Sequence, residues 1–328
     1  MDTAKFLEIL RITLPVFALL GLGNILSRTG KMTETHQSFL NWLVYYISLP
    51  SLIFVGMAVQ PLRSLLMVDF ILATQLAMLA IFVIYALLAF VMRLDKKIAV
   101  VMIFSTYWSN CAYMGFPLAE SAFGERGFLM AAILNAVTMP VMVVISFVMI
   151  GLCSDKKQSI GQSLKGALVN PIIIASIAGI LWSWAAGALR LDGDGGATLP
   201  LAVQEMFGIG ERVLKSVGTM GLSLALIAVG GKLRFRSFGK NAVPTALAVA
   251  GKLVILPIIT WAILRALFPS APGDVFGAAI LLMAMPTAVT CAVIAAKFKL
   301  NEEFVSAVLA ASMMGSVVMI PLWLYLVL

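Results

Sequence analysis

Asn110, Lys252, Thr287 and Thr290 are polar side chains set in long apolar runs, where hydrogen bonding and charge act without competition from water. Asn110 opens the stretch NCAYMGFPLAESAFG, which puts an amide, a Gly-Phe-Pro sequence (Gly115, Phe116, Pro117) and the carboxylate Glu120 between two such runs. Pro117 has no N–H and its ring clashes with the preceding turn, so the spacing predicts a helix broken near Gly115–Pro117. AMPTAVT repeats the pattern at Pro286, with the hydroxyls of Thr287 and Thr290 placed to satisfy backbone groups that the proline frees. Two helices broken at membrane depth present bare amides and positive dipole ends, and that chemistry is anion binding. Asn110 adds a donor about two turns before Pro117, on nearly the same helical face. Each feature has a plainer reading: a proline kink, an amide that glues helices, a lysine that snorkels to the interface. The recurrence of the break in the second half favours a site.

The elements that must position these groups are apolar spans. The chain of 328 residues is 62% hydrophobic and 12% charged, with a mean hydropathy of +1.04, whereas a soluble domain is about half apolar and a quarter charged. A span needs roughly 20 apolar residues. Ten runs qualify, near 6–26, 38–59, 69–92, 98–119, 127–151, 170–188, 213–231, 242–267, 275–296 and 303–327. The mixed segment 199–212 reads as an interfacial stretch before the seventh run. Lys and Arg concentrate in the loops after the odd-numbered runs, for example Lys96, Lys97, Lys156, Lys157, Arg234 and Arg236. By the positive-inside rule those loops are cytoplasmic, which puts both termini outside a bacterial-type inner (plasma) membrane. The net charge of +8 is thus a topology signal, and no nucleic-acid partner is expected.

Lys252 stands alone as a basic residue well inside a run, a functional hypothesis by default. Glu120 follows the first break and reads as a residue of the outer mouth or a proton carrier. His36 reads as a solvated loop residue, and Asn135 as glue. Cys111, Cys153 and Cys291 have no metal-ligand spacing, there is no phosphate-binding glycine loop, and no nucleophile has a histidine partner. No metal, cofactor or enzyme activity is expected.

Ten runs divide into five and five, so a repeat between the halves would be inverted in the membrane. Pro15 and Gly23 in run 1 match Pro171 and Gly179 in run 6, Pro117 matches Pro286, and Pro140 matches Pro321. The expected fold is an all-α polytopic membrane protein, with a first repeat over 1–152, a short cytoplasmic linker over 153–169 and a second repeat over 170–328. Such repeats are the architecture of many secondary transporters.

The sequence Asn110, Met114, Gly115, Phe116, Pro117, Leu118, followed by Phe123–Glu125, resembles the motif of the auxin efflux carrier family, which includes plant auxin exporters and bacterial organic-acid permeases. The likeness continues in NPIIIASIAGILWS (Asn170–Ser183), KLVILP (Lys252–Pro257) and MPTAVTCAVIAAKFKL (Met285–Leu300), and so covers essentially the whole chain. It implies crossing broken helices 4 and 9, a scaffold of helices 1, 2, 6 and 7, and a transport domain of helices 3–5 and 8–10 with elevator-like alternating access. It also implies a small carboxylate substrate, of the malate or malonate kind, held at the crossover, with Asn110 matching the family's substrate-contacting asparagine. The expected binding set is Asn110, Gly115, Pro117, Pro286, Thr287, Thr290, Pro50 and Ser223, with Lys252 and Glu120 as supporting charges. Ser223 replaces a proline common in the family, while its counterpart Pro50 is kept, so the halves are expected to be asymmetric around the site. The short linker lacks the long regulatory loop of plant members. The alternative is a sodium-coupled organic-anion symporter of the bile-acid type. Related folds suggest a homodimer through spans 2 and 7.

Overall fold

In the computed structural model, residues 3–58, 67–153, 169, 171–188, 201–232 and 241–328 are described. Their regular structure is helical throughout. In chain order the helices are α1 (Thr3–Arg28), α2 (Glu34–Ala58), α3 (Val68–Val91), α4 (Lys96–Tyr107), α5 (Phe116–Cys153), α6 (Pro171–Ala188), α7 (Leu201–Lys232), α8 (Ala242–Leu267), α9 (Gly273–Met283), α10 (Thr290–Lys297) and α11 (Glu302–Val327). Among the described residues six segments are long and apolar enough to cross a membrane: Leu7–Arg28, Glu34–Ala58, Val68–Val91, Gly208–Gly231, Ala242–Leu267 and Glu302–Val327. The expected 153–169 linker lies outside the described residues apart from Cys153 and Val169.

Local chemistry sets the helix ends. The side chains of Thr33, Asp95 and Asn301 accept from backbone amides at the starts of α2, α4 and α11, which satisfies donors that a helix N-terminus leaves open. His36 is part of the first of these caps, its ring Nδ1 accepting a bond from the Thr33 amide. α5 turns at Gly124, whose φ of 66° lies where an L side chain is strained. The corner is tied by two ion pairs, Arg126 with Asp274 at 3.2 Å and Lys215 with Glu125 at 3.9 Å. The mixed segment before run 7 is not a separate interfacial element: its residues from Leu201 onward are the first turns of α7. Its polar residues continue the helix because they lie beyond the apolar length that begins at Gly208.

Packing follows membrane rules rather than soluble ones. Lipid tails are as apolar as leucine, so helices associate through close backbone approach at small residues. α1 and α7 illustrate it: Gly23 lies against the Ile227 carbonyl and Gly230 against the Leu20 carbonyl, and a Cβ at either would overlap backbone. α6 and α7 both pack on α2. One core gathers α1, α2, α5, α6, α7, α9 and α11 together with Phe70, Ile71 and Ala73 of α3 and Leu264 of α8, with Phe116 edge-on to Phe128. The other gathers α3, α4, α8, α10 and α11 around Tyr85, Phe104, Tyr107 and Phe304. α3 is apolar on its outward face too, where Leu72, Leu76, Leu79 and Phe90 are exposed, as a helix facing lipid must be.

Three π turns interrupt these helices, at Val44–Ser48 in α2, Cys111–Gly115 before α5 and Gly251–Ile255 in α8. Such turns are uncommon and concentrate at functional sites. The one in α8 is held from outside: Trp323 Nε1 donates to the Leu253 carbonyl at 2.8 Å, and the Tyr85 hydroxyl donates to that of Leu247 at 2.6 Å.

Candidate functional site

α4 stops at Tyr107, and Trp108, Ser109 and Asn110 leave helical geometry before the π turn opens at Cys111. α9 stops at Met283, and residues 284–289 lead to α10. The two breaks lie side by side, Ser109 and Thr287 forming an antiparallel bridge. The Asn110 amide donates to the Pro286 carbonyl at 2.9 Å, and the Ala288 amide to the Trp108 carbonyl at 2.9 Å. The Thr287 hydroxyl donates to the Ser105 carbonyl at 2.9 Å, and the Thr287 amide donates to Ser312 Oγ at 3.2 Å. Each break therefore supplies partners that the other needs, which resolves the cost of freed backbone polar groups at membrane depth.

The first break is not where the proline predicts it. Pro117 sits in the first turn of α5, and the chain leaves the helix about two turns upstream, at Trp108–Asn110. The π turn runs straight into α5, with the Phe116 amide donating to the Cys111 carbonyl, and this wider turn takes up the change of register ahead of a proline that has no N–H to place. Pro286, in contrast, lies inside its break. Gly115 does have a steric reason: a Cβ there would come within 2.8 Å of Leu282 and 3.3 Å of Met285. Its bareness lets the opening of α5 press on the second break. Several amides at the breaks are already engaged: Asn110, Cys111, Met114, Gly115, Thr287 and Ala288 all donate to named acceptors.

Two side-chain donors at the breaks bear most directly on a ligand. Asn110 is 3% exposed, and its Nδ2 is enclosed with no hydrogen-bond partner; a buried polar group left open is rare and demands an explanation. Lys252, on the π turn of α8, is 0% exposed. Its ammonium donates to Ser109 Oγ in the first break, and to the Met283 carbonyl at 2.9 Å where α9 meets the second. A cation at a helix C-terminus is favoured by the dipole, and this one joins both breaks. It does not snorkel. A lysine ammonium has three protons, and both of its acceptors here are neutral.

The other expected residues are scattered. Thr287 is fully buried and committed to backbone pairing, while Thr290 is exposed at the first residue of α10. Pro50 is half-buried just past the π turn of α2, Ser223 is exposed on α7, and Glu120 is half-buried between the first break and the Gly124 corner. The π turns of α2 and of α5's entry both pack on α7, so Pro50 and Ser223 belong to the elements facing the first break. Sequence reasoning missed Ser109, Met283 and Ser312. Only Ser109 had a signal, its place beside Asn110.

The chain belongs to the membrane transport protein family, whose sequence profile matches residues 9–324, in agreement with the resemblance to the auxin efflux carriers. It is 26% identical to the "Putative malonate transporter" of Rhizobium meliloti (strain 1021), over 98% of this chain and 96% of that one. It is 25% identical to an "Uncharacterized transporter" of Methanothermobacter thermautotrophicus, over 94% and 95% of the two chains. With the "Uncharacterized transporter YfdV" of Escherichia coli (strain K12) it shares 23% identity, over 95% of each. Family and relatives alike are transporters, not enzymes. The protein is an integral membrane protein that handles a small-molecule substrate.

Proposed function

We propose that this protein is a secondary carrier of small organic anions, an exporter of carboxylates in the malonate or malate size range. The observation that carries the reading is the enclosed Lys252 ammonium, which touches both breaks through neutral acceptors only. A carboxylate is the group that completes it, and the open Asn110 amide lies in the same paired segment to orient a second oxygen. Pro117, Gly115, Pro286 and Thr287 shape and hold the breaks. The hydroxyls of Thr290 and Ser223, both exposed, meet the remainder of the substrate, and Glu120 sets the charge of the outer mouth.

In this reading the ten apolar runs are ten spans in two inverted sets of five, over 1–152 and 170–328, with both termini outside the inner membrane. The broken spans cross where Ser109 meets Thr287. α1, α2, α6 and α7 form the fixed scaffold, supported by their close packing on one another. The remaining helices carry the site across in an elevator-like stroke, and two scaffolds join as a homodimer through α2 and α7.

The test is charge movement on a solid-supported membrane with reconstituted protein. Mono- and dicarboxylates are applied with and without sodium, to wild type and to Asn110→Ala. Saturable, sodium-independent currents that the substitution abolishes are expected. Currents seen only with sodium would replace this reading with a symporter, and a fully active Asn110→Ala protein would remove the paired breaks as the site.

A further inference from the structure

Lys252 is the only charged side chain among the described buried residues; the other buried polar side chains are hydroxyls and amides. Its two acceptors are a hydroxyl and a carbonyl. The titratable groups that act on it are the thiols of Cys111 and Cys291, which are neutral when protonated. From α3 comes Tyr85, whose ring packs on Gly251 and whose hydroxyl is bonded to a carbonyl. From α4 comes Tyr107, paired with Ser146. α11 brings carboxylates only in its first turn, Glu302 and Glu303. On the α5 and α9 side, Glu125 and Asp274 are taken by Lys215 and Arg126, and Glu120 is half-buried near the outer corner. Among the described residues the enclosed site thus holds one positive charge and nothing to offset a second negative one.

Burying an unpaired charge in a medium of low dielectric is far more costly than burying a neutral pair. A monoanion beside Lys252 brings the enclosed charge to zero, whereas a dianion leaves one negative charge without a partner. We infer that the carrier takes its substrate as a singly charged anion: monocarboxylates as they stand, and short dicarboxylates with one carboxyl still protonated. This rests on the carboxylate reading proposed above. The ionised carboxylate faces the Lys252 ammonium, and the Asn110 amide donates to the carbonyl oxygen of the neutral carboxyl. The proton travels on the substrate, and no protein carboxylate is needed to carry it.

Counterflow in proteoliposomes of the full-length protein tests this, in sodium-free buffers between about pH 6 and 8. The probes are two matched pairs, malonate with its monoamide malonamate and succinate with succinamate. The monoamides are singly charged throughout that range and report any effect of pH on the protein itself. Relative to its monoamide, each dicarboxylate should show an apparent KM that rises by about tenfold per pH unit above its second ionisation, as the singly charged fraction falls. A dicarboxylate KM that holds steady over the range overturns the inference, whatever the monoamide does, and leaves the carboxylate reading standing. If no member of either pair moves or competes, the carboxylate reading itself falls and this inference falls with it.

Discussion

The two breaks solve one problem with different means. Residues 284–289 enclose their proline, and Thr287 within them commits its amide to Ser312 and its hydroxyl to Ser105. Trp108–Asn110 contains no helix-breaking residue, leaves the helix well before its proline, and keeps a buried side-chain donor open. The second break is a structural joint, and the first is a joint with one hand free. The difference teaches that a proline at membrane depth is a guide to the neighbourhood of a site and not to its atoms. Where partners are available across a fold, an ordinary Trp-Ser-Asn sequence is broken as firmly as one containing proline.

That contrast can be broken by substitution. Lys252→Met, which severs both breaks from their shared cation, should have the largest effect. It strands a hydroxyl and a carbonyl at about 1–3 kcal/mol each. Transport should fall by at least about 100-fold, with a lowered unfolding temperature in a detergent melt. Asn110→Ala comes next and should separate binding from stability. For a monocarboxylate, losing a bond to its charged group costs about 1.5–3 kcal/mol, or roughly 10- to 100-fold in affinity, while the melt stays at the wild-type value because the amide has no partner to lose. Thr287→Val should do the reverse: about 1–2 kcal/mol of stability lost with its bond to Ser105, and affinity changed by less than about threefold. Equal stability losses at Asn110 and Thr287 would erase the distinction between the breaks. Pro117→Ala should matter least, within about 0.5 kcal/mol by melt, because the π turn before it already accommodates the missing N–H. A large loss there would return the break to the position that the proline suggested.

Much of the scaffold was legible in the chain. Among the described residues eight of the ten apolar runs fall on helix, those at 98–119 and 275–296 are helices interrupted by the two breaks, and the run at 242–267 coincides with α8, Ala242–Leu267. Hydrocarbon thickness imposes a length that soluble helices do not share, and apolar runs of that length are hard to miss. The second break was legible because Pro286 lies inside it. The first was displaced because its geometry is set by pairing across the fold, which leaves no local mark on Trp108 or Ser109. Lys252 stood out as an intramembrane charge, but its acceptors lie 143 and 31 residues away, and no spacing rule reaches that far. Nor could sequence distinguish Thr287, buried and bonded, from Thr290, exposed three residues later.

The pairing of the breaks also bears on how the protein is made. Ser105 and Thr287 are separated by 182 residues, so a ribosome adding about 5–20 residues per second needs roughly 10–40 s to deliver the second partner after the first. Through that interval the nascent chain around Trp108–Asn110 has no mate for its amides, and hydrocarbon is a poor place to wait. The early half must linger in a wet or assisted setting until the late half arrives. Neither half, made alone, should reach its native depth, whereas the two produced together from separate messages should find each other.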